Sequence, residues 1–210
     1  MLPANFIIVA VLLRFAAGGS YLRAVWRGTA QPSVVSWGFW SITALIAFGV
    51  QLAKGAGPSA FVTLAIGLSP LAVCLTAVYK GVHKTKLTRL DKWCIVLTVI
   101  GILLWLISKN PMAALIMSIL ADVFSTIPTL VKGYRAPSTE HPLAYAISIL
   151  GMVTALLTIT DWRITNWLFV GYILFNNLSI LFTITVLSKM RSFRLAPRGF
   201  MQLGSEPVDS

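Results

Sequence analysis

The sequence predicts an all-α integral membrane protein with seven transmembrane helices, arranged as two parallel three-helix repeats joined by a linker helix (3+1+3). Three observations predict this class. The 210 residues are 57% hydrophobic and only 11% charged, whereas soluble domains average about 25% charged residues. Seven apolar stretches are suited to crossing a bilayer core, which needs about 20 residues per helix. The two halves of the chain also match each other at an offset of 105 residues.

The predicted spans are apolar runs that few charges interrupt. In chain order they are Asn5–Val25, Val34–Ala53, Ser59–Tyr79, Lys92–Ser108, Met112–Val131, Leu143–Thr160 and Ile164–Leu187. The fourth is short, but Trp93 and Trp105 bound it, and tryptophan favours the two membrane interfaces. Pro70 interrupts the third span and Pro128 the end of the fifth. Because proline breaks the helical hydrogen-bond ladder, we predict both as hinges.

The internal match predicts how the spans are grouped. The offset places Arg27-Gly28 on Lys132-Gly133 and Pro32-Ser33 on Pro137-Ser138. The first, second and third spans then fall on the fifth, sixth and seventh, and equivalent helices run in the same direction, as in parallel transporter repeats. The predicted division is a first repeat at 1–88, a linker transmembrane helix at 89–109, a second repeat at 110–190 and a disordered cytoplasmic tail at 191–210.

The basic residues predict topology and do not indicate nucleic-acid binding, despite a net charge of +11. With seven spans, 13 basic residues fall on one side of the membrane and three on the other. Basic residues of short loops stay cytoplasmic, so we predict the N-terminus outside and the C-terminus inside. The 13 are Arg23, Arg27, Lys80, Lys84, Lys86, Arg89, Lys92, Lys132, Arg135, Lys189, Arg191, Arg194 and Arg198, against Lys54, Lys109 and Arg163.

Two ionisable residues lie at mid-span. Arg14 in the first span and Asp122 in the fifth lie at similar depths, and charges at the bilayer centre usually face the bundle interior. We predict that they pair, either as a permanent packing ion pair or as a gate or solute anchor. Ser125 and Thr126 share a helical face with Asp122. The internal repeat aligns Tyr21 of the first span with Thr126, which places the two residues opposite each other. These hydroxyl groups either line a cavity or join helices.

The seventh span carries Asn176 and Asn177, which are adjacent and cannot face the same way. At least one should point into the bundle, where it would find hydrogen-bond partners. Trp37 and Trp40 open the second span. They form either part of an interfacial aromatic belt or a stacking platform at the mouth of a cavity.

Several short motifs resemble the SWEET/PQ-loop superfamily. They are Ile127-Pro128-Thr129, Lys132-Gly133 and Pro137-Ser138-Thr139, with the first-half counterparts Tyr21-Leu22-Arg23 and Arg27-Gly28-Thr29. The chain looks most like a bacterial group of seven-span members. The resemblance implies the 3+1+3 fold, a bacterial inner membrane and transport by alternating access. It also implies solute contact by Asn176 or Asn177. The Pro-Gln pair of the family is replaced by Pro128-Thr129 and Arg23-Ala24.

The sequence therefore favours a membrane carrier for a small polar solute, sugar-like or amino-acid-like, with the lipid bilayer as its other partner. A non-transporting scaffold or receptor-like protein and a homo-oligomer remain open. We predict no enzyme, no catalytic residues and no cofactor, because no span carries a histidine or a serine–base arrangement. Two cysteines and two histidines without ligand spacing predict no metal site. The seventh span also lacks the lysine that a retinal Schiff base needs.

Overall fold

The computed structural model describes residues 2–3, 5–82, 89–108 and 110–190, and this part contains seven α-helices. They are α1 (Phe6–Trp26), α2 (Val34–Ala53), α3 (Ala60–Tyr79), α4 (Arg89–Ser108), α5 (Pro111–Arg135), α6 (Pro142–Leu157) and α7 (Ile164–Phe182). Single 3₁₀ turns precede α3 and α6, and a π-helical turn at Thr183–Leu187 follows α7. The predicted tail at 191–210 lies outside the described residues.

Five of the described helices are long and apolar enough to cross a bilayer. They are α1, α2, α5, α3 with the turn that precedes it, and α7 with the turns that follow it. Helix α6 is apolar but has only 16 residues. The all-α class is therefore confirmed, and these helices are those of a membrane protein.

The ends of the helices depend on local capping. Ser33 begins α2 by accepting a hydrogen bond from the backbone N–H of Ser36, and Asn110 caps α5 in the same way. Helix α5 continues one turn beyond the predicted Val131 to Arg135. Helix α6 ends before the predicted Thr160, because the hydroxyl and the N–H of Thr158 both bond back to the Ala155 carbonyl.

The contacts between helices define the bundle. Helix α3 packs against α1 and α2, and α7 packs against α5 and α6. Helix α1 also packs against α6, and α2 against α5, while α4 lies mainly against α5. The interior of the bundle is lined by α1, α2, α3, α6 and α7.

Two apolar clusters fill the interior at different depths. We call the end where α1 and α5 finish the basic end, because Arg23, Lys132 and Arg135 lie in their last turns. The basic-end cluster comprises Tyr21, Ala24, Val25, Ala30, Trp37, Trp40, Val73, Ala77, Ala144, Tyr145, Ile180 and Ile184. The opposite-end cluster comprises Ala10, Ala44, Ala47, Val62, Ile66, Leu115, Met152, Ala155, Phe169, Val170 and Ile173.

Replacing Gly18 by alanine is expected to lower the free energy of unfolding by about 1–3 kcal/mol. A Cβ atom at this position would lie 2.6 Å from the Cβ atom of Ser69, so α1 and α3 would have to separate. Gly19 is the matched control, because nothing lies within 4 Å of its Cβ position. Denaturant unfolding of the purified variants measures the difference, and equal stability of the two would contradict the close approach.

Candidate functional site

A small cavity lies in the bundle interior between the two apolar clusters. Its volume is about 40 Å³, which is room for about three water molecules. The residues that line it are Arg14, Ala17, Gly18, Tyr21, Trp37, Trp40, Ile66, Ser69, Pro70, Ala144, Tyr145, Ile173, Asn176, Asn177 and Ile180. Four of the predicted site residues, Arg14, Tyr21, Asn176 and Asn177, therefore share one cavity.

Asp122 is fully buried and is held by hydrogen bonds from two other helices. The Thr43 hydroxyl of α2 donates to its Oδ1 atom at 2.7 Å. The Tyr172 hydroxyl and the Asn176 amide of α7 donate to its Oδ2 atom at 2.8 and 3.3 Å. The carboxyl group of Asp122 thus joins α5 to α2 and α7, and three donors satisfy it.

Thr126 extends this network to the cavity wall. Its hydroxyl oxygen accepts hydrogen bonds from the Trp40 indole at 2.9 Å and from the Asn176 amide at 3.1 Å. The hydroxyls of Thr126 and Ser125 both donate to the Asp122 carbonyl of their own helix at 2.9 Å. Asp122, Ser125 and Thr126 were predicted to line the cavity, but they lie behind it and contact residues that line it.

Arg14 reaches a neutral partner. Its Nη1 atom donates to the Ser148 hydroxyl of α6 at 2.7 Å, and its Nε atom is buried without a hydrogen-bond partner. The ion pairs among the described residues are Lys132–Glu140 and Arg163–Asp161. The predicted Arg14–Asp122 pair is therefore not formed in this structure, since α6 provides the partner of Arg14 and α2 and α7 provide those of Asp122.

Glu140 organises the basic end of the cavity. Its side chain is fully buried, and its Oε2 atom accepts hydrogen bonds from the hydroxyls of Tyr21 and Tyr145 at 2.8 and 2.9 Å. The Lys132 ammonium lies 2.8 Å from its Oε1 atom and also donates to the Gln31 carbonyl. We call these four side chains, Glu140, Tyr21, Tyr145 and Lys132, the basic-end latch, because they tie α1, α5 and α6 together.

Glu140 is a site residue that the sequence did not predict. A single carboxylate in a loop between two helices ordinarily faces water, and no periodicity marks it. The one sequence feature that could have indicated a role for Glu140 was its position among basic residues at the end of a predicted span. The close approach of α1 to α6 brings Tyr21 onto a carboxylate that Lys132 of α5 and Tyr145 of α6 reach from nearby in the chain.

Aromatic rings close the cavity at the basic end. The ring centroids of Tyr21 and Trp37 lie 4.2 Å apart, and those of Trp37 and Trp40 lie 5.3 Å apart. Tyr145 meets Tyr21 edge-on at 6.1 Å. Trp37 and Trp40 are both buried and line the cavity, which places them at its mouth and excludes the interfacial belt.

The two predicted hinge prolines differ in position. Pro70 lies inside α3 and lines the cavity beside Ser69. Pro128 lies inside α5, is buried, and does not line the cavity. Both helices continue beyond their prolines. Proline removes one backbone hydrogen bond of the helix, so Pro70 leaves a weakened turn next to the cavity.

A second recess lies at the opposite end, between the start of α1 and the loops on either side of it. Its volume is about 260 Å³, and its lining includes polar side chains such as Ser59, Thr158 and Asn166. Asp161 also lines it, and hydrogen bonds from Arg163 lower the pKa of this carboxyl. This carboxylate is paired with the Arg163 guanidinium, so the recess carries no uncompensated charge from it.

The described residues contain no cluster of three His, Cys, Asp or Glu side chains that is suited to a metal ion. The chemistry of the cavity is that of hydrogen bonding in a small interior space, with the Arg14 cation on its wall and the carboxylates of Asp122 and Glu140 behind it. Such an arrangement can bind and orient a small polar molecule. No known protein family, no curated protein and no solved structure matches this chain.

Proposed function

We propose that the chain is a membrane carrier for a small polar solute, working by alternating access between two three-helix units. The observation that carries the proposal is a cavity between two apolar clusters with a few polar side chains, among them Arg14, Ser69 and Asn176, in a mostly apolar wall. Alternating access requires an occluded intermediate in which the site is closed toward both sides of the membrane, and the two clusters would provide that closure. Solute would reach it only after one of the two ends opens.

The helix contacts support the 3+1+3 arrangement as part of this proposal. If α1, α2 and α3 are equivalent to α5, α6 and α7, exchanging the two units turns the α1–α6 contact into the α5–α2 contact. Both contacts are extensive. Within the units, α3 packs against its two neighbours as α7 does. These are the contacts that a pseudo-twofold axis along the membrane normal would produce.

Individual side chains support the same symmetry. At the offset of 105 residues, Thr43 corresponds to Ser148, and Trp40 corresponds to Tyr145. Thr43 bonds Asp122 on α5, and Ser148 bonds Arg14 on α1. The two charges lie about one helical turn from equivalent positions.

A second pair of repeat-equivalent residues, Trp40 and Tyr145, makes equivalent contacts one helical turn nearer to the basic end. Trp40 contacts Thr126, and Tyr145 contacts Tyr21, the repeat equivalent of Thr126. Contacts that recur on both sides of a pseudo-axis favour duplication over chance similarity. They support the grouping of the helices on which the carrier proposal depends.

The proposal includes an orientation and a family. The basic end is cytoplasmic by the positive-inside rule, which puts the N-terminus outside, and we propose a bacterial inner membrane. We also propose membership of the SWEET/PQ-loop superfamily, which the helix layout and the short motifs alone support. Asn176 would contact solute through its Oδ1 atom, since its amide nitrogen is used by Asp122 and Thr126.

The transport cycle follows from what closes each end. Opening toward the cytoplasm requires Tyr21 and Tyr145 to separate at Glu140, which breaks the basic-end latch between α1 and α6. Opening toward the outside requires the opposite-end cluster to part, so that the polar recess joins the cavity. The weakened turn at Pro70 and the close approach of Gly18 to Ser69 lie between the two ends.

A non-transporting scaffold is the second candidate, and the size of the cavity favours it. About 40 Å³ is far below the 300–1,000 Å³ of typical ligand sites, so a sugar-like solute would require the cavity to expand. A scaffold would keep both ends closed permanently. The two candidates therefore differ in whether the cavity is ever reached from water.

A cysteine in the cavity distinguishes the two candidates without knowledge of the solute. Ala17 is buried and lines the cavity, and Ala17→Cys adds one small sulfur atom. Both native cysteines, Cys74 and Cys94, are first replaced by alanine. We expect a membrane-impermeant thiol reagent to label the introduced cysteine in right-side-out vesicles and also in inside-out vesicles, because the cavity opens to each side in turn.

Two outcomes define the test. Leu75→Cys is the control, because Leu75 is an exposed apolar residue on the same cysteine-free background and faces lipid in the proposed arrangement. It should resist the charged reagent from both sides. Absence of labelling at position 17 from both sides would contradict the carrier and favour the scaffold.

A further inference from the structure

We infer that the central cavity binds the carboxylate group of a small, singly charged solute, with Arg14, Trp37 and Ser69 as the donors. The inference rests on the proposed function, because it names the class of solute that the carrier would take. The supporting observation is a set of buried side-chain nitrogen and oxygen atoms that have no hydrogen-bond partner. Among the described residues these atoms are Arg14 Nε, Trp37 Nε1, Gln51 Oε1, Thr63 Oγ1, Ser69 Oγ and Thr129 Oγ1.

Three of these atoms belong to residues of the cavity wall. Trp37 and Ser69 are 5% and 6% exposed, and Arg14 extends from the facing turn of α1. Native proteins satisfy nearly all buried polar groups, and a guanidinium in a membrane interior is especially unfavourable without an anion. Three of the six unpartnered atoms thus belong to residues around one cavity, where a bound solute could supply their partner.

The chemistry of the unpartnered atoms indicates an acceptor with negative charge. Arg14 Nε and Trp37 Nε1 can only donate, and Ser69 Oγ can donate. Arg14 has one neutral acceptor, the Ser148 hydroxyl, whereas Asp122 is satisfied by three donors. A planar carboxylate matches the guanidinium fork with two parallel hydrogen bonds.

The size of the cavity and the single positive charge on its wall restrict the class of solute further. Room for about three waters suits a solute of few non-hydrogen atoms. A doubly charged anion such as phosphate would bring two negative charges to one cation. The amide oxygens of Asn176 and Asn177 accept no hydrogen bond from the described residues, so they remain for a hydroxyl or amino group of the solute.

The test compares acetate with acetamide, which has nearly the same shape and no charge. Binding of each to the protein in lipid nanodiscs is measured by saturation-transfer difference NMR. We expect acetate to bind at least about tenfold more tightly, as a hydrogen bond to a charged partner implies. Arg14→Gln should remove this preference, and Arg23→Gln should keep it, because Arg23 is exposed on the same helix.

Two further variants with smaller changes keep the test informative if the Arg14→Gln protein does not fold. Trp37→Phe and Ser69→Ala each remove one donor and leave the charge in place, and each should weaken acetate binding about tenfold. Equal binding of acetate and acetamide, or binding of neither because the cavity holds only water, would overturn the inference. Unchanged acetate affinity in all three cavity variants would also overturn it.

The inference and the proposed function fail in different ways. Acetate selectivity together with no labelling at position 17 from either side would keep the carboxylate site and remove the carrier. Labelling from both sides with no preference for acetate over acetamide would keep the carrier and remove the carboxylate site.

Discussion

Replacing Asp122 by alanine is expected to lower the free energy of unfolding by about 2 kcal/mol. Its carboxyl group accepts hydrogen bonds from Thr43, Tyr172 and Asn176, and each side-chain bond in a membrane protein contributes about 0.6 kcal/mol on average. The loss would separate α5 from α2 and from α7 at mid-membrane. Denaturation of the purified protein in detergent micelles measures this change.

Asp122→Asn tests the same network with the shape of the side chain kept. The amide retains one oxygen acceptor and turns its nitrogen toward a former donor, so we expect about half of the loss seen with alanine. Val123→Ala is the matched control, because Val123 is the next residue and is 40% exposed. If Asp122→Ala were no less stable than Val123→Ala, the carboxyl group would not join the three helices.

Replacing Glu140 by glutamine is expected to open the basic end. The side chain keeps its length but loses the charge that faces Lys132 at 2.8 Å, and one of its two acceptors becomes a donor. If the remaining oxygen stays with the two tyrosine hydroxyls that share Oε2, the new amide nitrogen faces the Lys132 ammonium, donor against donor. A bond to a charged partner contributes about 1.5–3 kcal/mol, so labelling of the Ala17→Cys protein from the basic side should rise at least about tenfold.

The same variant should reduce labelling at position 17 from the opposite side, because a shift in population toward one open state depletes the other. Lys132→Gln breaks the same ion pair from its other partner and should act in the same direction. Arg27→Gln is the control, since Arg27 is an exposed cation at the same end. A rise in labelling with Arg27→Gln as large as with Glu140→Gln would show that general loss of charge, and not the latch, controls access.

Much of the helical framework was predictable from the sequence. The predicted span Val34–Ala53 has the limits of α2, and the other six predicted spans coincide with α-helices to within a few residues. Long apolar runs have few alternatives to helix, because lipid leaves no other partner for the backbone. The largest differences are at the ends of three helices. The predicted end of α7 includes the π-helical turn at Thr183–Leu187, and α5 and α6 end where local bonds such as those of Thr158 decide the last turn.

The candidate site was predictable in part. Depth along a helix can be read from the sequence, and Asp122, Thr126 and Asn176 do form one network. The direction in which a side chain points around its helix depends on neighbours that the sequence does not identify. For this reason the Arg14–Asp122 pair was predicted but not formed, and Ser125 bonds its own helix.

The sequence by itself determined that the chain forms apolar helices, how far along its helix each residue lies, and which helix ends carry basic residues. These properties depend on composition and on position along the chain, and each helix carries them separately. The tertiary structure alone decided that Arg14 bonds Ser148, that Asp122 bonds Thr43, and that Glu140 is buried between two tyrosines. Arg14 and Ser148 are 134 positions apart, Thr43 and Asp122 are 79 positions apart, and Glu140 lies in a loop. Only the packing of α1 against α6 and of α2 against α5 therefore brings these partners together.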